Sequence, residues 1–438
     1  MIVLQHFFLG KYESLNMKYL RYTFVILLDL CFCVIACHAE ITINDYLATA
    51  FKDETVIYQT EKITFLKNSS SNTPYINEVE LRMQIDEFED SKQKYTIRMN
   101  MNGWGEHKQG EKVYEASLKF NETERLILLN DSLKDRYMDI ISHNHLEMQL
   151  VFMKSLMTVY EDRVEVLKQS VGTLQFDAVA LIETERQLLD LQLDMVNIKN
   201  DKAVIEEKIR LFFPSENEEI LIANDMIDIY SIQEKVFQLK KSFEQKNIHM
   251  QHSQYDYEMA EAKYKLEQAE NNTYLSFLEA SYDMDDKNKF EKAFTFEFGI
   301  TIPIINPKRL DINRRKLNSL KAKSEWMNVK KNIHLSFYAI SRKIRRLITQ
   351  YDIISFQKNN SRTEETYNIF RQMDGANPLI LLKVKESMLK NEITMLKIQH
   401  QIYESYIKLL DCSGELSSPP LINYLSKDSQ KITLMDNN

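Results

Sequence analysis

The chain has 438 residues, 44% of them hydrophobic and 27% charged, with a formal net charge of −8, yet it holds only 8 Gly and 7 Pro, where average usage would give about 30 and 22. Folds with many tight turns draw on those two residues repeatedly, so doubly wound, TIM-barrel and all-β architectures are disfavoured and long amphipathic helices remain. The hydrophobic content is too high and too evenly spread for a disordered chain, and no basic block points to nucleic acid.

In chain order, the first feature is Met17-Lys18-Tyr19-Leu20-Arg21 followed by an apolar run over 22–36 that only Asp29 interrupts. A basic stretch, a short apolar run and small residues after it describe a secretory signal peptide over 1–39, with Met17 as the candidate start. Two processing readings stay open. Cys37-His38-Ala39 before Glu40 suits a general signal peptidase, while Val34-Ile35-Ala36-Cys37 resembles a lipobox that would leave Cys37 lipidated. Cys31, Cys33 and Cys37 lie in or beside the apolar run, and Cys412 is the only other cysteine. The body therefore has no disulfide framework and no Cys-based zinc site.

Two stretches have the period of strands. Val79, Leu81, Met83 and Ile85 alternate with Glu80, Arg82 and Gln84, and after a polar turn Tyr95, Ile97, Met99 and Met101 alternate with Thr96, Arg98 and Asn100. This predicts a hairpin, with one apolar and one polar face, within about 76–104. A second pair recurs over about 272–304, with Phe294, Phe296, Phe298, Ile300 and Ile302 alternating with Thr295, Glu297, Gly299 and Thr301. Strands of this length and alternation fit transmembrane β-strands, but four cannot close a barrel alone and an open edge in lipid is forbidden. Several copies must therefore assemble. Trp104, just after the second strand, reads either as a lipid-interface residue or as ordinary packing.

Between the strand pairs, and after the second, the chain passes about sixty residues at a time almost without Gly or Pro. Leu126, Leu129, Leu133, Tyr137 and Ile140 keep helical spacing, as do Leu146, Leu150, Met153, Leu156, Met157 and Tyr160. The predicted helices are 106–171 and 308–373, each returning through a shorter helix, 174–212 and 379–411. Gly172 and Gly375 mark the reversals, since a tight turn between antiparallel helices takes a left-handed residue without penalty when it is Gly. His143 with His145, and His249 with His252, have no third ligand nearby and read as solvated helix faces.

The chain thus parses as two tandem units of strand, strand, long helix and returning helix, over 40–225 and 226–416, with a tail at 417–438. Ile41-Thr42-Ile43-Asn44-Asp45-Tyr46-Leu47-Ala48-Thr49-Ala50, the passage Phe298-Gly299-Ile300-Thr301-Ile302-Pro303-Ile304 and the turn Ser170-Val171-Gly172-Thr173 with Asp177 resemble the TolC-type outer-membrane efflux family, the outer membrane factors. The resemblance implies a mainly α fold with a small transmembrane β part. It further implies a homotrimer with a twelve-stranded β-barrel set on a long α-helical periplasmic barrel, in the outer membrane of a Gram-negative bacterium. By the same resemblance the function is a passive exit duct for a tripartite efflux pump or a type I secretion system, with a periplasmic adaptor and an inner-membrane pump as partners. The adaptor would meet the tip turns at Gly172, Thr173, Gly375, Ala376, Asn377 and Pro378. The returning stretch Leu381-Leu382-Lys383-Val384-Lys385-Glu386 lacks the aspartates with which some members close the tip. No nucleophile elbow, phosphate loop or paired-carboxylate motif is legible, so neither an enzyme nor a cofactor or metal is expected. A secreted or periplasmic coiled-coil scaffold or adaptor, with soluble hairpins, is the alternative.

Overall fold

A computed structural model describes residues 41–69, 74–85, 93–173, 176–213, 226–243, 247–272, 274–283, 293–301, 308–360, 363–372, 377–427 and 430–432. The signal segment with Cys37, and Gly375 with Ala376, lie outside the described residues. The chain begins with α1 (Ile43–Ala48), a 3-10 turn (Thr49–Lys52) and α2 (Glu54–Asn68), then pairs β1 (Ile76–Ile85) with β2 (Gln93–Met101). The long helix α3 (Glu106–Gln169) and its return α4 (Ala178–Arg210) follow, and then the shorter α5 (Ile229–Ser242) and α6 (Ile248–Glu270). After β3 (Leu275–Asp283) and β4 (Phe294–Ile300) come α7 (Arg309–Asn360), α8 (Thr363–Gln372) and α9 (Pro378–Ser413). The fold is mainly helical with one small antiparallel sheet.

The helix ends follow from local chemistry. Thr42 caps α1 reciprocally: its hydroxyl accepts from the Asp45 N–H at 3.2 Å, and the Asp45 carboxylate accepts from the Thr42 N–H at 3.2 Å. Gly105, at φ +83°, precedes α3. That helix then runs 64 residues, about 96 Å at 1.5 Å per residue, and carries Gly110 inside it at a cost of about 1 kcal/mol. Gly414 ends α9 in the left-handed region, φ +74°. There Ile248 approaches so closely that a β-carbon would lie 2.7 Å from its Cγ1.

α3 packs against α2, α4, α6 and α9, and α7 packs against α6 and α9, so the helices form one layer with α4 at one flank and α7 at the other. Two apolar cores lie along this layer. The larger, at mid-height, joins α1, α3, α5, α7, α9 and the C-terminal tail, and holds the fully buried Tyr137, Phe337 and Tyr406. The tail is stitched in by backbone contacts: Ile227 N–H donates to Leu425 O at 2.7 Å, and Tyr137 Oη donates to Ile422 O at 3.1 Å while accepting from Tyr424 N–H. The smaller core lies nearer the α3–α4 turn and is built from Met153, Leu156, Tyr160, Leu191, Met195 and Ile198.

Candidate functional site

Three places carry chemistry beyond packing: the sheet, the turn end of the helices and a histidine layer between the two cores. The sheet has the strand order β1-β2-β3-β4. Val79 pairs with Met99, Met99 with Leu278 and Leu278 with Phe298, so one face is apolar across all four strands. Among the described residues nothing covers that face: Leu81 is 77% exposed and Phe296 80%. The other face aligns Glu80 with Arg98, Arg98 with Glu279 and Glu279 with Glu297. On it Asn100 Nδ2 donates to Glu80 at 3.2 Å, and the Arg98 guanidinium lies 3.8 Å from the centre of the Phe277 ring. Among the described residues neither β1 nor β4 has a partner along its outer edge. Trp104 is 84% exposed, so packing does not account for it.

At the turn end, Gly172 adopts φ +87° with open space around it, so the backbone conformation and not crowding calls for glycine. Thr173 folds back on the α3 terminus: its N–H and its hydroxyl both donate to Ser170 O, at 3.1 and 2.8 Å. Asp177 caps α4 by accepting from the Ala180 N–H at 3.0 Å. Asn377 caps α9 by accepting from the Leu379 N–H, also at 3.0 Å, with Pro378 in the first helical turn.

About two turns into α9, Glu386 is a carboxylate that sequence reasoning passed over. It is 8% exposed and faces α3, accepting from Tyr160 Oη at 3.0 Å, Arg163 Nη1 at 3.2 Å and Lys390 Nζ at 2.6 Å. Burial alone would raise its carboxyl, but the bonds from Lys390 and Tyr160 and the Arg163 charge hold it below the usual carboxylate range. The signal lay in the spacing, since Glu386 and Lys390 are four residues apart on one helix face.

The histidines overturn the solvated reading. His143 is 1% exposed and its Nε2 lies 3.2 Å from Glu206 Oε1 on α4. His145 stacks on His400 of α9 with ring centres 4.2 Å apart. Burial, then His400 and Lys397, push His145 down to about 4, and burial also lowers His400 against the opposing pull of Glu404. On α6, His249 lies 3.2 Å from Asp411 O, and His252 packs on Phe120 with its Nδ1 3.2 Å from Thr123 Oγ1. Their helices face other helices rather than water, which periodicity cannot reveal in a helix packed on several sides. Among the described residues no group of three His, Cys, Asp or Glu side chains is placed to hold a metal ion, and no helix is long and apolar enough to cross a membrane.

No family model matches the sequence, and no curated protein matches it. Solved structures do match. The outer membrane protein VceC of Vibrio cholerae superposes with a TM-score of 0.60 at 12% identity, over 85% of this chain and 96% of that one. The CmeC outer membrane channel of Campylobacter jejuni gives 0.59 at 11% identity over 89% and 87%, and the open MtrE outer membrane channel of Neisseria gonorrhoeae gives 0.59 at 12% over 89% and 91%. The chain therefore has the fold of outer-membrane channel proteins. In that fold class its architecture corresponds to the TolC-type helical-barrel channels.

Proposed function

We propose that this chain is the exit duct of a tripartite efflux pump or a type I secretion system, a passive conduit through the periplasm and outer membrane. The observation that carries the reading is the sheet: an apolar face bare across four strands, a charged face opposite, and two open edges, all at the end of two long helices of about 96 and about 78 Å. An apolar face with unpaired edges is stable in lipid only once the edges close on one another. Strand directions alternate, so with four strands per copy β4 of one copy can pair antiparallel with β1 of the next.

The helices offer matching flanks. α4 leaves Val179, Ile182 and Val196 more than 60% exposed on one side of the layer, and α7 leaves Leu310, Leu317 and Phe356 equally bare on the other. A head-to-tail ring covers both at once. Three copies give a twelve-stranded barrel, the smallest such closure that also leaves an aqueous bore lined by the Glu80, Arg98 and Glu297 face. In this reading the turns at Gly172–Thr173 and Gly375–Pro378 meet a periplasmic adaptor, an inner-membrane pump supplies the energy, and the duct performs no bond chemistry. The apolar sheet face disfavours a soluble scaffold.

Membrane fractionation tests the proposal. The duct should float with outer membrane, leave it only in detergent, run as a heat-sensitive trimer and conduct ions in a planar bilayer. Recovery as a soluble monomer or dimer after osmotic shock would overturn it. A cysteine placed at Thr173 should crosslink to the adaptor.

A further inference from the structure

Resting on the reading of the apolar sheet face as membrane-facing, we propose that the hollow where strands give way to helices binds an anionic glycerophospholipid of the periplasmic leaflet. The hollow encloses about 570 Å³ and is lined by Tyr75 ahead of β1, by Met101, Trp104 and Lys108 after β2, and by Tyr274 and Leu275 at the start of β3. Met101 continues the alternation of Tyr95, Ile97 and Met99, and Leu275 pairs with Ile300. The hollow is thus the lower end of the apolar face and opens on the same side.

Its rings are bare. Trp104 is 84% exposed, Tyr75 69% and Tyr274 59%, and amphipathic rings uncovered at the edge of an apolar band settle at headgroup depth. Its charge is uncompensated. Glu106 accepts from the Gly103 N–H at 2.9 Å, and Glu111 lies 3.5 Å from His107 Nε2, whose ring packs on Tyr75. Lys108 has no ion-pair partner among the described residues. A lone ammonium beside three exposed rings and a continuous apolar wall matches the chemistry of an anionic lipid. The phosphate sits on Lys108, the glycerol against the rings, and the acyl chains run up past Met101 and Leu275.

The chain has two tryptophans, which makes the test specific. Trp326 stacks on Tyr257 in the helical body, with ring centres 5.8 Å apart, and Trp326→Phe leaves Trp104 as the sole reporter. The full chain carrying that substitution is reconstituted in phosphatidylethanolamine vesicles containing equal fractions of dibrominated phosphatidylglycerol or dibrominated phosphatidylcholine. Phosphatidylglycerol should quench Trp104 with about fivefold higher relative affinity. Lys108→Gln should bring the ratio near one, and Lys108→Arg should keep it. Excess inorganic phosphate should leave the quenching unchanged. Equal quenching by the two lipids in the Lys108 protein overturns the site and leaves only an unspecific aromatic belt, and displacement by inorganic phosphate overturns the lipid as its source. A chain that does not float with the vesicles defeats the membrane reading itself, whereas a chain that floats with Trp104 unquenched defeats only the lipid site.

Discussion

The two cores along the helical layer are built to different standards. The mid-height core contains the largest fully buried side chains, and its buried arginine is fully engaged although the Tyr406 hydroxyl finds no partner among the described residues: Arg136 makes two bonds to the Asp53 carboxylate at 2.6 and 3.0 Å and one to Thr49 Oγ1 at 2.7 Å, over the Phe212 ring. The core nearer the turn is one helix pair deep. It depends on the Glu386 cluster for its polar contact with α9, and only Leu389 and Ile393 reach it from that helix. Apolar burial is non-directional and survives small displacements, while a carboxylate bridging helices works at one separation. The contrast therefore assigns rigidity to the middle and adjustability to the turn end, with the stacked His145–His400 pair at the seam.

Substitutions can break or sharpen that contrast. Phe337 is fully buried and stacks on Phe243 with centres 4.0 Å apart, so Phe337→Ala should cost about 3–5 kcal/mol and lower the thermal midpoint of the whole assembly. Arg136→Met strands the Asp53 carboxylate and should cost about 3 kcal/mol, again lowering the global midpoint by circular dichroism. Glu386→Gln should cost about 2 kcal/mol but act locally, raising single-channel conductance and hydrogen exchange near the turn with little change in the midpoint. A global midpoint shift as large as that of Phe337→Ala would erase the contrast.

Acid gives a further effect. The His145 site is depressed to about 4, so unfolded chains bind a proton that the folded one refuses. Stability is full above the ordinary histidine value near 6.5 and falls until about pH 4, by about 1–2 kcal/mol once partial solvent access is allowed for. His145→Phe should flatten that slope in a pH series of melts. The Glu386 carboxyl has the opposite chemistry and the same sign, because its stabilisation holds above the ordinary carboxylate range and is lost as pH falls through its lowered value. The smallest effect belongs to Gly172→Ala, about 1 kcal/mol from the left-handed backbone, read as weaker adaptor crosslinking.

What the sequence revealed was what periodicity and breakers encode. Alternation from Val79 to Met101 and from Phe294 to Ile300 marks strands because one face is apolar throughout, and the scarcity of Gly and Pro marks long helices. Glu54–Asn68 and Ile248–Glu270 carried no such contrast: the first packs on α3 and leaves Ile57, Tyr58 and Phe65 exposed, and the second is packed between α3 and α7, so apolar and polar residues mix around both. Of the Glu386 cluster only the i, i+4 pair with Lys390 was legible, and the rest was hidden for another reason. Its partners Tyr160 and Arg163 stand more than two hundred positions away, and only the antiparallel return of α9 beside α3 brings them together. The histidine stack joins residues equally remote in sequence.

The two open sheet edges bear on how such a chain is made as well as on what it does. A single copy presents unpaired backbone donors and acceptors beside a bare apolar surface, the combination that templates aggregation in water. Time spent alone is thus the hazard, and its length depends on how many siblings are at hand. Synthesis rate and local crowding at the membrane become determinants of yield, and a subunit that misses its neighbours is a target for proteolysis rather than a spare part.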